Sequence, residues 1–214
     1  MSEMIAVVGG TGALGSAIAS RLARAGASVV IGSRSADRSR EKAVDLGNGV
    51  IGASNADAAR AGSIVILAVP FAAQSDTIAE IKEHVQGKIV IDTTVPLAPP
   101  KVARVSLPPE GSAAVRAQAL LGEGVTVVSA LHNVAAAKLA ADGPVACDVL
   151  VFGDNAEARG QAVELVARMG LNALHGGSLA NSAAAEAMTS VLIFLNRTYK
   201  VGHAGLLVTG LNAE

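Results

Sequence analysis

The sequence predicts an α/β protein with a doubly wound, mostly parallel sheet and a small helical element at its C-terminal end. Two observations predict this fold class. Short β-branched apolar runs alternate with stretches of helical spacing, as where residues 4–8 are followed by Leu14, Ile18 and Leu22. Such runs are typical of parallel strands that helices connect and cover on both faces. An alanine-rich helical stretch from Ala183 then ends the alternation.

The elements follow one another in a regular order. Strands are predicted at residues 4–8, 28–32, 50–52, 63–69, 88–92, 125–129 and 148–152. Helices are predicted over residues 14–25, 36–46, 57–60, 73–83, 156–169 and 183–199. Gly26 ends the first helix and Pro70 ends the fourth strand. The longest loop is expected over residues 96–109, which contain five prolines.

Composition excludes several classes of protein. The 214 residues are 51% hydrophobic, which allows a sizeable core without disulfides. The 17 basic and 18 acidic residues give no strong positive field, so we expect no nucleic-acid partner. We expect a cytoplasmic protein without a membrane anchor. Its N-terminus lacks the pattern of a signal peptide, and its late apolar run, residues 191–195, is too short to span a bilayer.

A glycine-rich turn follows the first strand and opens the first helix. It consists of Gly10, Thr11, Gly12, Ala13, Leu14 and Gly15. In this setting, the G-x-G-x-x-G pattern predicts a dinucleotide site of the Rossmann type. Gly10 is expected to make the tight turn, Gly12 to let the backbone approach the pyrophosphate, and Gly15 to let helix and strand pack closely. The helix N-terminus offers N–H groups to the anion.

The end of the second strand indicates which dinucleotide binds. An NAD site usually has an acidic residue there, roughly 20 residues after the glycines, to hold the ribose 2′-hydroxyl. Here the strand end carries Ser33 and Arg34, and Arg38 lies in the next helix. A hydroxyl and two guanidinium groups suit a 2′-phosphate, so the sequence predicts NADP(H). The alternative is a solvated charged segment, because Asp37 and Glu41 lie among the basic residues.

No catalytic acid or base can be assigned from the sequence. The glycines at 9, 12 and 15 are also similar to those of short-chain dehydrogenases, but Tyr199 is the only tyrosine and no Tyr-x-x-x-Lys pair exists. The histidines at 84, 132, 175 and 203 lack metal-ligand spacing, so no metal site is expected. These absences favour a dinucleotide enzyme that needs no strong acid or base from the protein.

The chain resembles the NADPH-dependent reductases of 8-hydroxy-5-deazaflavin, the coenzyme F-420:NADP oxidoreductases. The resemblance covers nearly the whole chain. It rests on residues 7–15, Gly32-Ser33-Arg34, Val69-Pro70, Val95-Pro96, Ser129-Ala130-Leu131-His132 and Leu179-Ala180-Asn181-Ser182. The last two stretches are the more specific to the family.

The resemblance implies hydride transfer between nicotinamide C4 and deazaflavin C5. We expect residues 1–180 to form an NADP-binding Rossmann domain, and residues 181–214 to form a small helical element that completes the acceptor cleft. The nicotinamide would lie at Val69 and Pro70, and the deazaflavin at Val95, Pro96, His132 and Val134. His132 would hydrogen-bond the deazaflavin ring, or else be a strand-end histidine satisfied by backbone. The resemblance also suggests a homodimer.

Three functions remain open at this stage. The first is the NADP(H)-dependent reduction of deazaflavin. The second is an NADPH-dependent flavin or ferric reductase on the same scaffold, with FMN or FAD in place of deazaflavin. The third is a non-catalytic NADP sensor that docks a partner protein through residues 96–109.

Overall fold

One eight-stranded sheet organises the computed structural model, which describes residues 3–211. Its strands are β1 Met4–Val8, β2 Ser28–Ser33, β3 Ile51–Ser54, β4 Ile64–Leu67, β5 Ile89–Asp92, β6 Thr126–Ser129, β7 Asp148–Phe152 and β8 Asn172–Gly177. They lie in the order β3-β2-β1-β4-β5-β6-β7-β8. The chain reverses direction of winding between β1 and β4, which is where ligands bind in open α/β sheets.

Helices cover both faces of this sheet. They are α1 Ala13–Arg24, α2 Ala36–Leu46, α3 Asn55–Ala61, α4 Phe71–Ile81, α5 Ala113–Leu121, α6 Ala136–Ala140, α7 Ala156–Arg168 and α8 Ser182–Tyr199. The alternation of side chains along β1 shows the two layers. Ile5 and Val7 belong to one apolar cluster, whereas Ala6 and Val8 belong to the other. A strand buried on both faces explains the uninterrupted apolar run in the sequence.

The predicted fold class is confirmed, but three elements were missed and one pairing differs. The helices α5 and α6 and the strand β8 were not predicted. Strand β7 runs antiparallel to β6, through the pair Ser129 and Phe152, while the other pairings are parallel. Strand β8 reads Asn-Ala-Leu-His-Gly-Gly, which has little β propensity. Its pairing with β7 makes it a strand.

The long loop is confirmed, since residues 96–109 contain no helix or strand. The division at residue 180 stays a prediction. Helix α8 begins at Ser182, and the segment after it returns to the sheet. There the N–H of Asp148 donates to the carbonyl of Leu206 at 2.7 Å, and the Asp148 carboxylate accepts from the Val208 N–H at 2.7 Å. No helix within residues 3–211 is long and apolar enough to cross a membrane.

Candidate nucleotide-binding and acceptor site

The glycine turn lies between the end of β1 and the start of α1. Gly9 takes a left-handed conformation with φ of +77°, which glycine adopts without strain. The N–H of Gly10 donates to the carbonyl of Gly32 at 3.0 Å, so the turn is tied to the end of β2. A Cβ on Gly10 would lie 2.6 Å from the Cβ of Ile31. The Gly12 N–H donates to the Gly9 carbonyl at 3.1 Å, so Gly10 lies inside the tight turn, and its missing side chain also allows close packing on β2.

The other two glycines of the pattern differ in what surrounds them. A Cβ on Gly15 would lie 2.6 Å from the carbonyl oxygen of Gly9, so α1 packs against the turn only because this side chain is absent. A Cβ on Gly12 would meet only that oxygen, at 3.4 Å. Gly12 is also the N-cap of α1, and the first helical bond runs from the Ser16 N–H to the Gly12 carbonyl. The N–H groups of residues 13–15 therefore precede the helical ladder and suit an anion.

A cavity of about 660 Å³ opens beside this turn. Of the predicted site residues, Thr11, Gly12, Ser33, Arg34, Arg38, Val69 and Pro70 line it. Gly10 and residues 13–15 form the turn and helix end beside the cavity. The residues lining this cavity do not include Val95, Pro96, His132 or Val134. The structure thus brings the predicted nucleotide residues together around one cavity, and the predicted acceptor residues lie outside its lining.

The basic end of the cavity has guanidinium groups available for a ligand. Arg34 and Arg38 are exposed, and within residues 3–211 neither is paired with a carboxylate. Asp37, which lies between them in the sequence, pairs instead with Arg40 at 2.7 Å. The Oγ of Ser33 accepts from the Ser35 N–H at 3.3 Å, so its own hydrogen remains free to donate. A phosphate fits this set of donors.

Asn55 is a cavity residue that sequence reasoning missed. It lies at the start of α3 and is 2% exposed. Its Oδ1 accepts from the Gly9 N–H at 3.4 Å, and its Nδ2 donates to Glu80 on α4 at 3.0 Å. Asn55 therefore connects the glycine turn to α4. The only signal in the sequence was a polar residue directly after a weak strand.

Hydrogen bonds connect the carboxyl ends of β4 and β5. Both the N–H and the hydroxyl of Thr93 donate to the carbonyl of Leu67, each at 3.1 Å. Asp92, fully buried at the end of β5, accepts from the Thr94 N–H at 2.8 Å and from Gln74 at 2.7 Å. Burial raises the pKa of the Asp92 carboxyl. These bonds fix the chain that leads to Val95 and to the buried Pro96.

The histidine predicted for the acceptor side lies in the turn after β6. His132 is 5% exposed, and its Nε2 lies 2.9 Å from the hydroxyl of Ser129. Within residues 3–211 the ring is therefore bonded to a side chain and not to backbone. The alternative interpretation, a strand-end histidine satisfied by backbone, does not describe it. Burial lowers the pKa of the imidazole from 6.5 to about 4, so the ring is neutral at pH 7. Val134, two residues on, is 7% exposed.

Helix α8 reaches this region through a buried carboxylate. Glu186, 1% exposed, accepts from the N–H groups of Ala113 and Ala114 at the start of α5. Beside it, the Ser182 hydroxyl donates to that of Ser112 at 2.8 Å. Burial raises the pKa of Glu186 from 4.5 to about 7. No sequence pattern indicated this contact, because residues 112 and 186 are far apart along the chain.

Comparison with known proteins decides the family. The family model described as "NADP oxidoreductase coenzyme F420-dependent" matches residues 4–96. The F420-dependent NADP reductase of Methanocaldococcus jannaschii is 39% identical over 221 residues, covering 97% of this chain and 98% of that protein. The chain belongs to the F420-dependent NADP oxidoreductase family. The family and the oxidoreductase class predicted from the motifs are thereby confirmed.

Other members agree with this assignment. The F420-dependent NADP reductase of Methanothermobacter thermautotrophicus is 40% identical over 225 residues, covering 99% of this chain and 97% of its own. A solved structure from Arthrobacter sp. FB24, described as a candidate F420-dependent NADP reductase, has a TM-score of 0.81 at 25% identity. That likeness covers 95% of this chain and 98% of the other. The family model spans both the glycine turn and residues 33–38, the basic turn that carries Ser33, Arg34 and Arg38, whereas the His132 turn falls in the full-length similarity alone.

Proposed function

We propose that this chain transfers hydride between NADPH and 8-hydroxy-5-deazaflavin, coenzyme F420. The observation that carries the proposal is a cavity with an open glycine at the helix end and, beyond it, two guanidinium groups that pair with no carboxylate within residues 3–211. Its near-full-length similarity to F420-dependent NADP reductases supports the same reaction.

The nucleotide half of the site uses main-chain and basic groups. The turn from Gly10 to Gly15 holds the pyrophosphate through Thr11, Gly12, Ala13 and Leu14, because N–H groups at a helix N-terminus attract an anion. Ser33, Arg34 and Arg38 hold the 2′-phosphate, and the two arginines supply charge-assisted hydrogen bonds. This assignment requires NADP(H) in place of NAD(H).

The reacting half of the site orients two rings. Val69 and Pro70 hold the nicotinamide, while Val95, Pro96, His132 and Val134 hold the deazaflavin. The two coenzymes supply the hydride chemistry. The protein has to bring the reacting carbons to about 3–3.5 Å and exclude water, so no catalytic acid or base is assigned.

The proposal extends to the assembly of the protein. Helix α8 exposes Met188, Val191 and Phe194, with Phe194 55% exposed. These side chains form an apolar face that a second copy of the chain would cover, so we propose a homodimer through α8. We also propose that it acts in the cytoplasm, where it meets its small-molecule redox substrates. Equilibrium sedimentation of the wild type and of Phe194→Glu tests the dimer.

Steady-state kinetics test the reaction. NADPH oxidation is followed with deazaflavin, FMN, FAD and a ferric chelate as separate acceptors. We expect turnover with deazaflavin and at least tenfold lower kcat/KM with the others. Preference for a flavin or ferric acceptor would contradict the proposal. Tight NADPH binding without any turnover would favour a nucleotide sensor.

A further inference from the structure

At the end of β6 and in the turn after it, the buried side chains of Ser129 and His132 form a hydrogen bond that restricts where the histidine ring carries its hydrogen. The hydroxyl of Ser129, a fully buried residue, lies 2.9 Å from Nε2 of His132. On the other side of the ring, Nδ1 is buried and has no hydrogen-bond partner within residues 3–211. Buried polar atoms are usually paired, so an unpaired one calls for a functional explanation.

Only one arrangement of hydrogens satisfies the Ser129 hydroxyl. A neutral imidazole has one N–H and one lone pair, so Nε2 either accepts from Ser129 or donates to it. If Nε2 donated, the Ser129 O–H would need a different acceptor. In the part of the chain that the structure describes, His132 is its one hydrogen-bond partner. The hydroxyl therefore donates to Nε2, and the ring hydrogen lies on Nδ1.

The backbone holds this pair in a constrained turn. Leu131, directly before the histidine, has φ of +67° and is 1% exposed. A left-handed conformation is uncommon for a branched apolar residue, and such strain is concentrated at functional sites. From α8, the Thr189 hydroxyl donates to the His132 carbonyl at 2.9 Å. The turn is therefore fixed by its own backbone and by the C-terminal helix.

We propose that Ser129 is a positioning residue that holds His132 as a neutral Nδ1–H donor toward the deazaflavin ring. The inference rests on the proposed function, which puts His132 on the acceptor side. When NADPH delivers hydride to C5 of deazaflavin, the nicotinamide is oxidised to NADP+ and the displaced electron pair moves onto the pyrimidine nitrogen and carbonyl of the ring, whose nitrogen then takes a proton from solvent. A fixed N–H donor bonds this electron-rich ring more strongly than the oxidised one, so it favours the transition state. The histidine keeps its proton throughout.

The tautomer can be read by ¹⁵N NMR of protein labelled at histidine, without any acceptor. The resonances of His132 are identified by their loss in His132→Gln. We expect the wild type to carry its hydrogen on Nδ1 at pH 7. Because the ring is almost covered, deazaflavin has to uncover Nδ1 when it binds, and we expect its addition to shift the Nδ1 signal more than the Nε2 signal.

Variants then connect the tautomer to the reaction. In Ser129→Ala we expect the Nδ1–H preference to be lost and kcat/KM for deazaflavin to fall about three- to tenfold, the range typical of one buried hydrogen bond. The KM for NADPH should not change. Ser129→Thr keeps the hydroxyl and should restore both the tautomer and kcat/KM. The matched control is Ser39→Ala on α2, which removes an equally buried hydroxyl bonded to the Ala53 carbonyl on β3.

Two results would overturn the inference. One is a wild-type spectrum with the hydrogen on Nε2, a result that needs no variant to fold. The other is a folded Ser129→Ala protein that keeps both the Nδ1–H tautomer and the wild-type kinetics with deazaflavin. Inactivity of the wild type with deazaflavin would contradict the proposed function, whereas the tautomer is measured independently of activity.

Discussion

Glu186 on α8 accepts a hydrogen bond from the backbone N–H of Ala113, the first residue of α5, at 2.7 Å. A carboxylate is well suited to a helix N-terminus, where backbone N–H groups lack partners. Burial opposes the charge and raises the pKa of Glu186 to about 7. The contact joins the C-terminal helix to the sheet domain through a group that titrates near neutral pH.

The stability of the protein should therefore depend on pH through Glu186. The folded state holds the proton up to about pH 7, whereas the unfolded state releases it near 4.5. The stability that this group contributes is therefore highest below pH 4.5 and is lost as the pH rises through about 7, and the loss is roughly 3 kcal/mol. In Glu186→Gln we expect a flatter profile between about pH 5 and 8, measured by urea unfolding. Asp92, whose pKa is also raised, contributes in the same direction. An equal flattening in the control Glu123→Gln, at an exposed site, would contradict this.

Alanine variants of two glycines in the turn should distinguish a loss of NADPH affinity from a loss of folding stability. The Cβ of Gly12→Ala meets only a carbonyl oxygen at 3.4 Å, so we expect its melting temperature to stay close to that of the wild type. Under the proposed function this Cβ lies where the pyrophosphate approaches the backbone, so we expect NADPH affinity to fall at least tenfold. The Cβ of Gly15→Ala would lie 2.6 Å from the Gly9 oxygen, so this variant should lose stability. Calorimetry and NADPH titration of both variants check the contrast. Unchanged NADPH affinity in Gly12→Ala would be inconsistent with a pyrophosphate at this turn.

The two arginines of the basic turn should select NADPH over NADH. We expect Arg34→Ala and Arg38→Ala each to raise the KM for NADPH about tenfold or more, since a charge-assisted hydrogen bond contributes about 1.5–3 kcal/mol. The KM for NADH should hardly change, because NADH lacks the 2′-phosphate. The control is Arg40→Ala, whose guanidinium pairs with Asp37. Equal effects on both nucleotides would mean that the arginines do not contact the 2′-phosphate.

The buried Arg21 should stabilise the fold without contacting a ligand. Its guanidinium donates to the carbonyls of Leu139, Met169, Ala141 and Gly143 at 2.6, 3.0, 2.8 and 3.0 Å. Arg21→Met leaves these carbonyls unpaired and should destabilise the protein by about 3 kcal/mol. For a chain of this size that lowers Tm by roughly 6–12 °C. The exposed Arg168→Met should shift Tm by no more than about 2 °C, with thermal unfolding as the measurement.

Much of the fold could be predicted because its signals are local. The runs that became β1, β2, β4 and β5 are apolar and rich in β-branched residues. The short alanine-rich helices α5 and α6 have weak periodicity. Strand β8 contains two glycines and depends on its neighbour β7. These three elements depend on packing and pairing with distant segments, which the local pattern does not contain.

The candidate site also contains some residues that the sequence predicted and others that it did not. The glycine turn and the basic turn were recognisable because each is a short segment whose chemistry lies in consecutive residues. Asn55 was not, because its importance comes from contacts with Gly9 and Glu80 on two other elements. The roles proposed for all these residues stay predictions until the variants are measured.

The sequence by itself determined the α/β class, the position of the nucleotide turn and the family, because these follow from local periodicity and from contiguous motifs. Only the tertiary structure decided which strands pair, which guanidinium groups pair with carboxylates, and that Ser129 and His132 form a buried pair at the end of β6. The physical reason is that burial and hydrogen bonding between distant residues arise only when the chain has folded. The same burial sets the pKa values of His132 and Glu186.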